Sequence, residues 1–155
     1  MLALEFYNVV LSVHIMGVVI AFGVLMAYPV LAPWLRRTHP EVMPAVHEAQ
    51  GRIGRTIISP GMVIVLAAGI YLASKADVWS ESWVSIPLLI LLIVGGLTGA
   101  ILAPTERKLA ETARRDLAAG GLSAEYDALF SRWLAAATGS AVLVLVAIFF
   151  MAAKP

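Results

Sequence analysis

One imidazole stands apart among the side chains able to do chemistry. His14 lies about nine residues into an apolar run, and no Asp, Glu, Lys, Arg or second His occupies any of the four long charge-free stretches. At ~1.5 Å per residue that is roughly 12–14 Å below the end of the run. An ionisable group at such depth is expected to face the protein interior and to mark a functional position. Gly17 and Ala21 share its helical face, and Ala67, Ala68 and Gly69 form a patch of little volume at similar depth in the second stretch. A ring nitrogen opening onto small side chains admits a flat macrocycle. His14 is therefore a candidate axial ligand to the iron of haem b, or a contact to a porphyrin, with Gly17, Ala21, Ala68 and Gly69 around it.

The competing reading is a neutral imidazole fixed by packing, donating to a carbonyl, to Ser12, to Asn8 or to water. Ligation by two histidines of one chain is excluded at this depth. A haem here needs five-coordinate iron, a ligand from another chain, or a methionine. Met16 is on another face of the same helix, and Met26 and Met62 lie nearer the opposite surface. His39 and His47, close to Glu41 and Glu48, match no standard metal spacing and read as ordinary surface histidines.

The remaining composition excludes much. There is no cysteine in the 155 residues, so disulfides, thiolate nucleophiles, zinc ribbons, iron–sulfur clusters and Cys-linked haem are absent. Neither a P-loop nor a dinucleotide-binding glycine fingerprint occurs. Eleven basic residues nearly balance ten acidic ones, which leaves no basic field to attract nucleic acid. With 61% hydrophobic residues, 14% charged and a mean hydropathy of +0.89, the chain suits a bilayer and not a water-solvated surface.

What must position His14 is therefore a set of membrane helices. Stretches without Asp, Glu, Lys or Arg run over Phe6–Leu35, Thr56–Ser74, Ser82–Thr105 and Trp133–Ala153. Each is close to or above the ~20 residues that a helix needs to cross ~30 Å of hydrocarbon. Strands are excluded by the lack of alternation. The expected fold is all-α, an integral membrane antiparallel four-helix bundle in a single domain, with spans at about 6–32, 56–74, 83–103 and 133–153. Span 1 lacks a basic n-region and is too long for a signal peptide, so it is expected to be retained.

Nine of the eleven basic residues fall in the 1–2 and 3–4 connections, leaving Lys75 and Lys154 on the other side. The positive-inside rule places those connections in the cytoplasm and both termini outside, in the inner membrane of a prokaryote. Trp34 and Trp133 are expected at the inner interface, and Tyr7, Tyr71, Trp79 and Trp83 at the outer one.

Both connections carry helical signals, over about 41–55 and 106–132. Val42, Met43, Val46, Ile53 and Ile57 recur at helical spacing, and Glu48–Arg52 and Glu111–Arg115 are placed for i, i+4 ion pairs. Gly120-Gly121 supplies a stop and Ser123 an N-cap. Either two spans project past the membrane into a small helical cytoplasmic layer or, as the preferred reading with no partner in view, these are solvated surface helices. Leu31-Ala32-Pro33 and Leu102-Ala103-Pro104, with Arg55 and Arg132, and with Lys75 and Lys154, suggest two related hairpins about an axis along the membrane normal. Small-residue rows (Gly95, Gly99, Ala103; Ala135, Gly139; Ala137, Ala141) suit close packing, within the chain or against a second copy or a partner membrane protein.

Leu11-Ser12-Val13-His14-Ile15-Met16-Gly17, then Arg52-Ile53-Gly54-Arg55-Thr56-Ile57-Ile58-Ser59-Pro60-Gly61-Met62 and Gly69-Ile70-Tyr71-Leu72, form an ordered series over spans 1 to 3. In this the chain resembles the HemJ-type protoporphyrinogen IX oxidases and a related group of small four-span bacterial integral membrane proteins of unknown function. The resemblance implies a membrane four-helix bundle in which His14 matches the haem-associated histidine. Those oxidases also carry a required lysine early in span 3, shortly after a Trp and a His. Here Trp83-Val84-Ser85-Ile86-Pro87-Leu88 offers neither that lysine nor the nearby histidine, so oxidase activity is not implied and the related group is the better fit. Three functions suit these residues: a haem- or porphyrin-binding redox protein, a non-enzymatic accessory component packing against partners, and a small-solute or proton pathway.

Overall fold

The computed structural model describes residues 2–154, with side chains from Glu5 onward. It is all-α, and no strand occurs among the described residues. Helix α1 covers Leu2–Thr38 and continues through Pro29 and Pro33. A 3₁₀ turn at Pro40–Val42 leads into α2 (Met43–Ile53), which passes through a π-helical turn at Gly54–Ile58 into α3 (Ser59–Ala76). Helix α4 (Ser82–Leu97) passes through a second π turn at Thr98–Leu102 into α5 (Ala103–Ala118), and α6 (Ala124–Ala153) closes the chain.

Four continuous rods result: Glu5–Thr38, Pro40–Ala76, Ser82–Ala118 and Ala124–Ala153, each long and apolar enough to cross a membrane. A rod of 37 residues is about 55 Å long at 1.5 Å per residue, well beyond the ~30 Å of hydrocarbon. The excess stands at the Arg-rich end. Local signals there act as the sequence implies. Gly120 takes φ +109° after α5, and Ser123 Oγ accepts the Tyr126 backbone N–H at 3.3 Å to cap α6.

Burial is uneven along the rods. At the Arg-rich end Tyr28, Ala32, Met43, Leu109, Ala113, Tyr126, Phe130 and Trp133 are all buried. The other half exposes Ile15, Met16, Val19, Ile20, Val63, Leu89, Leu92, Leu145 and Phe149. Exposed apolar surface on this scale is what acyl chains cover. Trp133, expected at an interface, is fully buried, whereas Trp34 is exposed.

The rods pair as two hairpins, α1 on α3 and α4 on α6. The hairpins join where α1 meets α6 and where α2 packs on α5, but α3 and α4 touch little. The helices of the connections are thus packed on each other, and not solvated without a partner. Their ion pairs cross between elements accordingly. Glu48 takes Arg114 in place of Arg52, while Arg115 turns to Asp116 and Glu125, and Glu111 pairs with Arg107 at 3.0 Å. The π turns fall in the second and third rods, whereas Pro33, matched to Pro104 in the sequence, sits in unbroken α-helix. Local geometry does not follow the proposed repeat.

Candidate functional site

His14 is held against the backbone of α3, beside a glycine. Its Nδ1 lies 3.0 Å from the Val65 carbonyl oxygen. A carbonyl only accepts, so Nδ1 carries the proton and donates it. Nε2 is then left with its lone pair, the tautomer that suits a metal ligand. Gly69 stands one turn beyond Val65, and a Cβ there would lie 3.2 Å from His14 Cε1. A side chain there would crowd the ring, which would have to give way by a few tenths of an ångström.

The ring borders a cleft of about 570 Å³ between the hairpins, in the half that the 77–81 connection from α3 to α4 closes. Val18, Phe22, Val65, Pro87, Leu91 and Val144 are among its apolar walls. Polar groups are few: His14 inside, and Tyr7, Trp79, Trp83 and Lys154 towards the end of the bundle opposite the arginines. Lys154 Nζ sits 4.7 Å over the Trp83 ring, a cation–π contact that keeps the ammonium at the mouth. A large apolar cleft with one convergent nitrogen and one cation is the form of a site for a ligand with an apolar body and an acidic edge.

The predicted surroundings of His14 separate. Gly69 borders the cleft beside the ring, but Gly17, Ala21 and Ala68 do not line it. Gly17 and Ala21 serve the α1–α3 crossing. A Cβ on Gly17 would come within 2.9 Å of Val65 Cγ2, and one on Gly61 within 2.7 Å of Ala21 Cβ. Two backbones approach there and leave no vacancy. The small-residue rows divide likewise, with Ala137 and Ala141 buried and Ala135 and Gly139 exposed.

The geometry and the sequence together mark a membrane protein. The chain belongs to the family described as "Predicted integral membrane protein (DUF2269)". That family's profile matches residues 8–155, which includes all four rods nearly in full. No curated protein and no solved structure matches the chain.

A second polar centre lies at the Arg-rich end, where the sequence reading fails. His47 is not a surface histidine: it is 1% exposed, enclosed by Tyr126, Phe130 and Trp133. Its Nδ1–H donates to Gln50 Oε1 at 2.8 Å, and Nε2 accepts the Tyr126 hydroxyl at 2.9 Å. Burial pushes the imidazole down to about 4, against the pull of Gln50, so the ring is neutral at pH 7. Beside it Trp133 Nε1 donates to Glu106 Oε1 at 3.2 Å. Burial raises the Glu106 carboxyl, opposed by that hydrogen bond and by the Arg55 charge. The i, i+3 pair His47/Gln50 was the available signal, since it places two polar groups on the apolar face of a helix. No group of three or more His, Cys, Asp or Glu able to hold a metal occurs among the described residues.

Proposed function

We propose that the chain is a membrane haem- or porphyrin-binding protein with a redox role, and that His14 Nε2 is its axial ligand. The observation that carries this reading is the Nδ1–H bond to the Val65 carbonyl, which fixes the tautomer and aims the lone pair away from the peptide backbone. The residues present fit such a group: a neutral imidazole, an apolar cleft of suitable size, and Lys154 at the mouth for an acidic substituent. Bound haem would supply one-electron chemistry. The protein's own part is to hold the ring with Val65 and Gly69, exclude water with the apolar walls, and neutralise the ligand's carboxylate through Lys154.

The proposed setting is the inner membrane of a prokaryote, with the Arg-rich end in the cytoplasm and both termini outside, as the loop charges favour. The HemJ-type likeness supports haem as the ligand, while the missing span-3 lysine argues against protoporphyrinogen oxidation. The test is an absorption spectrum of the purified protein reconstituted with haem b. A Soret band lost in His14→Ala, with helicity retained, supports the reading. A protein that takes up neither haem nor protoporphyrin, or that holds either one equally well without His14, overturns it.

A further inference from the structure

A second chamber, independent of the His14 cleft, lies at the Arg-rich end between the two π turns. It holds about 50 Å³ and is lined by Leu25 and Tyr28 of α1, by Gly54, Arg55 and Ile58 of the first π turn, and by Thr98, Gly99 and Leu102 of the second, with Glu106 beyond. Single π turns inside α-helices frequently mark functional positions. Here both of them border the same small space.

The chamber is rich in oxygen atoms lacking partners. Tyr28 is 5% exposed and Thr98 8%, yet neither the Tyr28 hydroxyl nor the Thr98 hydroxyl has a hydrogen-bond partner. Orphaned polar atoms at such depth are costly and call for an occupant. The backbone adds more. In the first π turn Ser59 N–H bonds the Gly54 carbonyl, so the next donor in that register would be residue 60, which is proline. The Arg55 carbonyl therefore has no amide to accept from. The second turn repeats this: Ala103 N–H bonds the Thr98 carbonyl, and Pro104 deprives Gly99.

The charge is equally specific. Glu106 is 4% exposed, and its Oε1 accepts from Trp133. Glu106 Oε2 and Arg55 Nη1 each lie 3.7 Å from the point where a Gly51 Cβ would stand, yet they form no ion pair with each other among the described residues. A buried carboxylate held apart from its nearest cation leaves room for one more positive charge. Hard oxygens from a carboxylate, two hydroxyls and two freed carbonyls suit an alkali or alkaline-earth ion. Arg55 is exposed and solvent screens its charge, so the single buried carboxylate suits one positive charge and not two.

We propose that this chamber binds a small monovalent cation of sodium size, held on Glu106 with the Thr98 and Tyr28 hydroxyls between the π turns. The test uses the full chain in detergent, at constant ionic strength, with sodium, potassium, lithium or N-methyl-D-glucamine chloride. Retention of radioactive sodium and thermal unfolding are the readouts. Saturable sodium retention and a rise in Tm absent with N-methyl-D-glucamine are expected. Affinity should fall at least tenfold in Glu106→Gln, and also in Thr98→Val and Tyr28→Phe, which each remove one hydroxyl and keep the proposal testable should the glutamine variant misfold. Arg55→Gln should bind sodium more tightly, because a competing positive charge is gone, which a purely structural arginine would not produce. Identical behaviour in all four salts, or wild-type retention in Thr98→Val and Tyr28→Phe, means the chamber holds water alone and overturns the proposal.

Discussion

Acidification should loosen the Arg-rich end through His47. The folded chain keeps this imidazole neutral down to about 4, whereas the unfolded chain protonates it near 6.5. Below 6.5 the unfolded state binds a proton that the folded state refuses, so stability falls by about 1.4 kcal/mol per pH unit until the folded value is reached. The loss from this one residue is about 2 kcal/mol between pH 7 and pH 5, and about 3 kcal/mol by pH 4. Glu106 works in the opposite sense: its raised carboxyl stabilises the fold below the ordinary value of 4.5, an advantage lost as pH rises. The two must be separated by a variant. His47→Gln retains a group able to donate to Gln50 and accept from Tyr126 but cannot titrate. Unfolding by denaturing detergent, followed by far-UV circular dichroism at pH 7, 6 and 5, should show the wild type losing about 2 kcal/mol more than the variant. Parallel pH curves for the two proteins would refute the assignment of His47 as a buried neutral ring.

Gly61→Ala should force α1 and α3 apart, because the added methyl would meet Ala21 Cβ at 2.7 Å. A cost of about 1–3 kcal/mol is expected for such overpacking, read as a lower Tm in detergent, whereas Gly23→Ala, with nothing within 4 Å, should be close to neutral. Asp116 is held below its ordinary range by the Ser123 hydroxyl and by Arg115. Its contribution should be present above the ordinary 3.8 and fade as pH falls further, so Asp116→Asn should speed amide exchange over 119–124 at neutral pH and leave little change at pH 2 to 3.

The all-α bundle was legible because a bilayer imposes long charge-free runs, and these four runs need no knowledge of tertiary contact. His14 was legible for the same reason, as the only histidine within them. The role of its neighbours was not. Gly17, Ala21 and Gly69 look alike as small residues, and only the crossing of α1 over α3 decides that two of them admit a backbone while the third admits a ring. His47 was misread because a short amphipathic segment between charged residues looks like surface until α5 and α6 are laid against it. The two π turns left a trace in the sequence, a proline just after each, but Pro60 and Pro104 also suit an ordinary first turn of helix.

The hairpins are fastened to each other twice, by the α2–α5 layer at the Arg-rich end and by the 77–81 connection from α3 to α4 at the other, while α3 and α4 themselves touch little. Such a body is a purse with both ends stitched. Six peptide units hold Ala76 within about 20 Å of Ser82, so only the waist between the seams is free to widen. Spin labels at mid-height on α3 and α4 should therefore report a spread of distances, narrowing when a compound is gripped, while labels beside either seam report one sharp distance throughout.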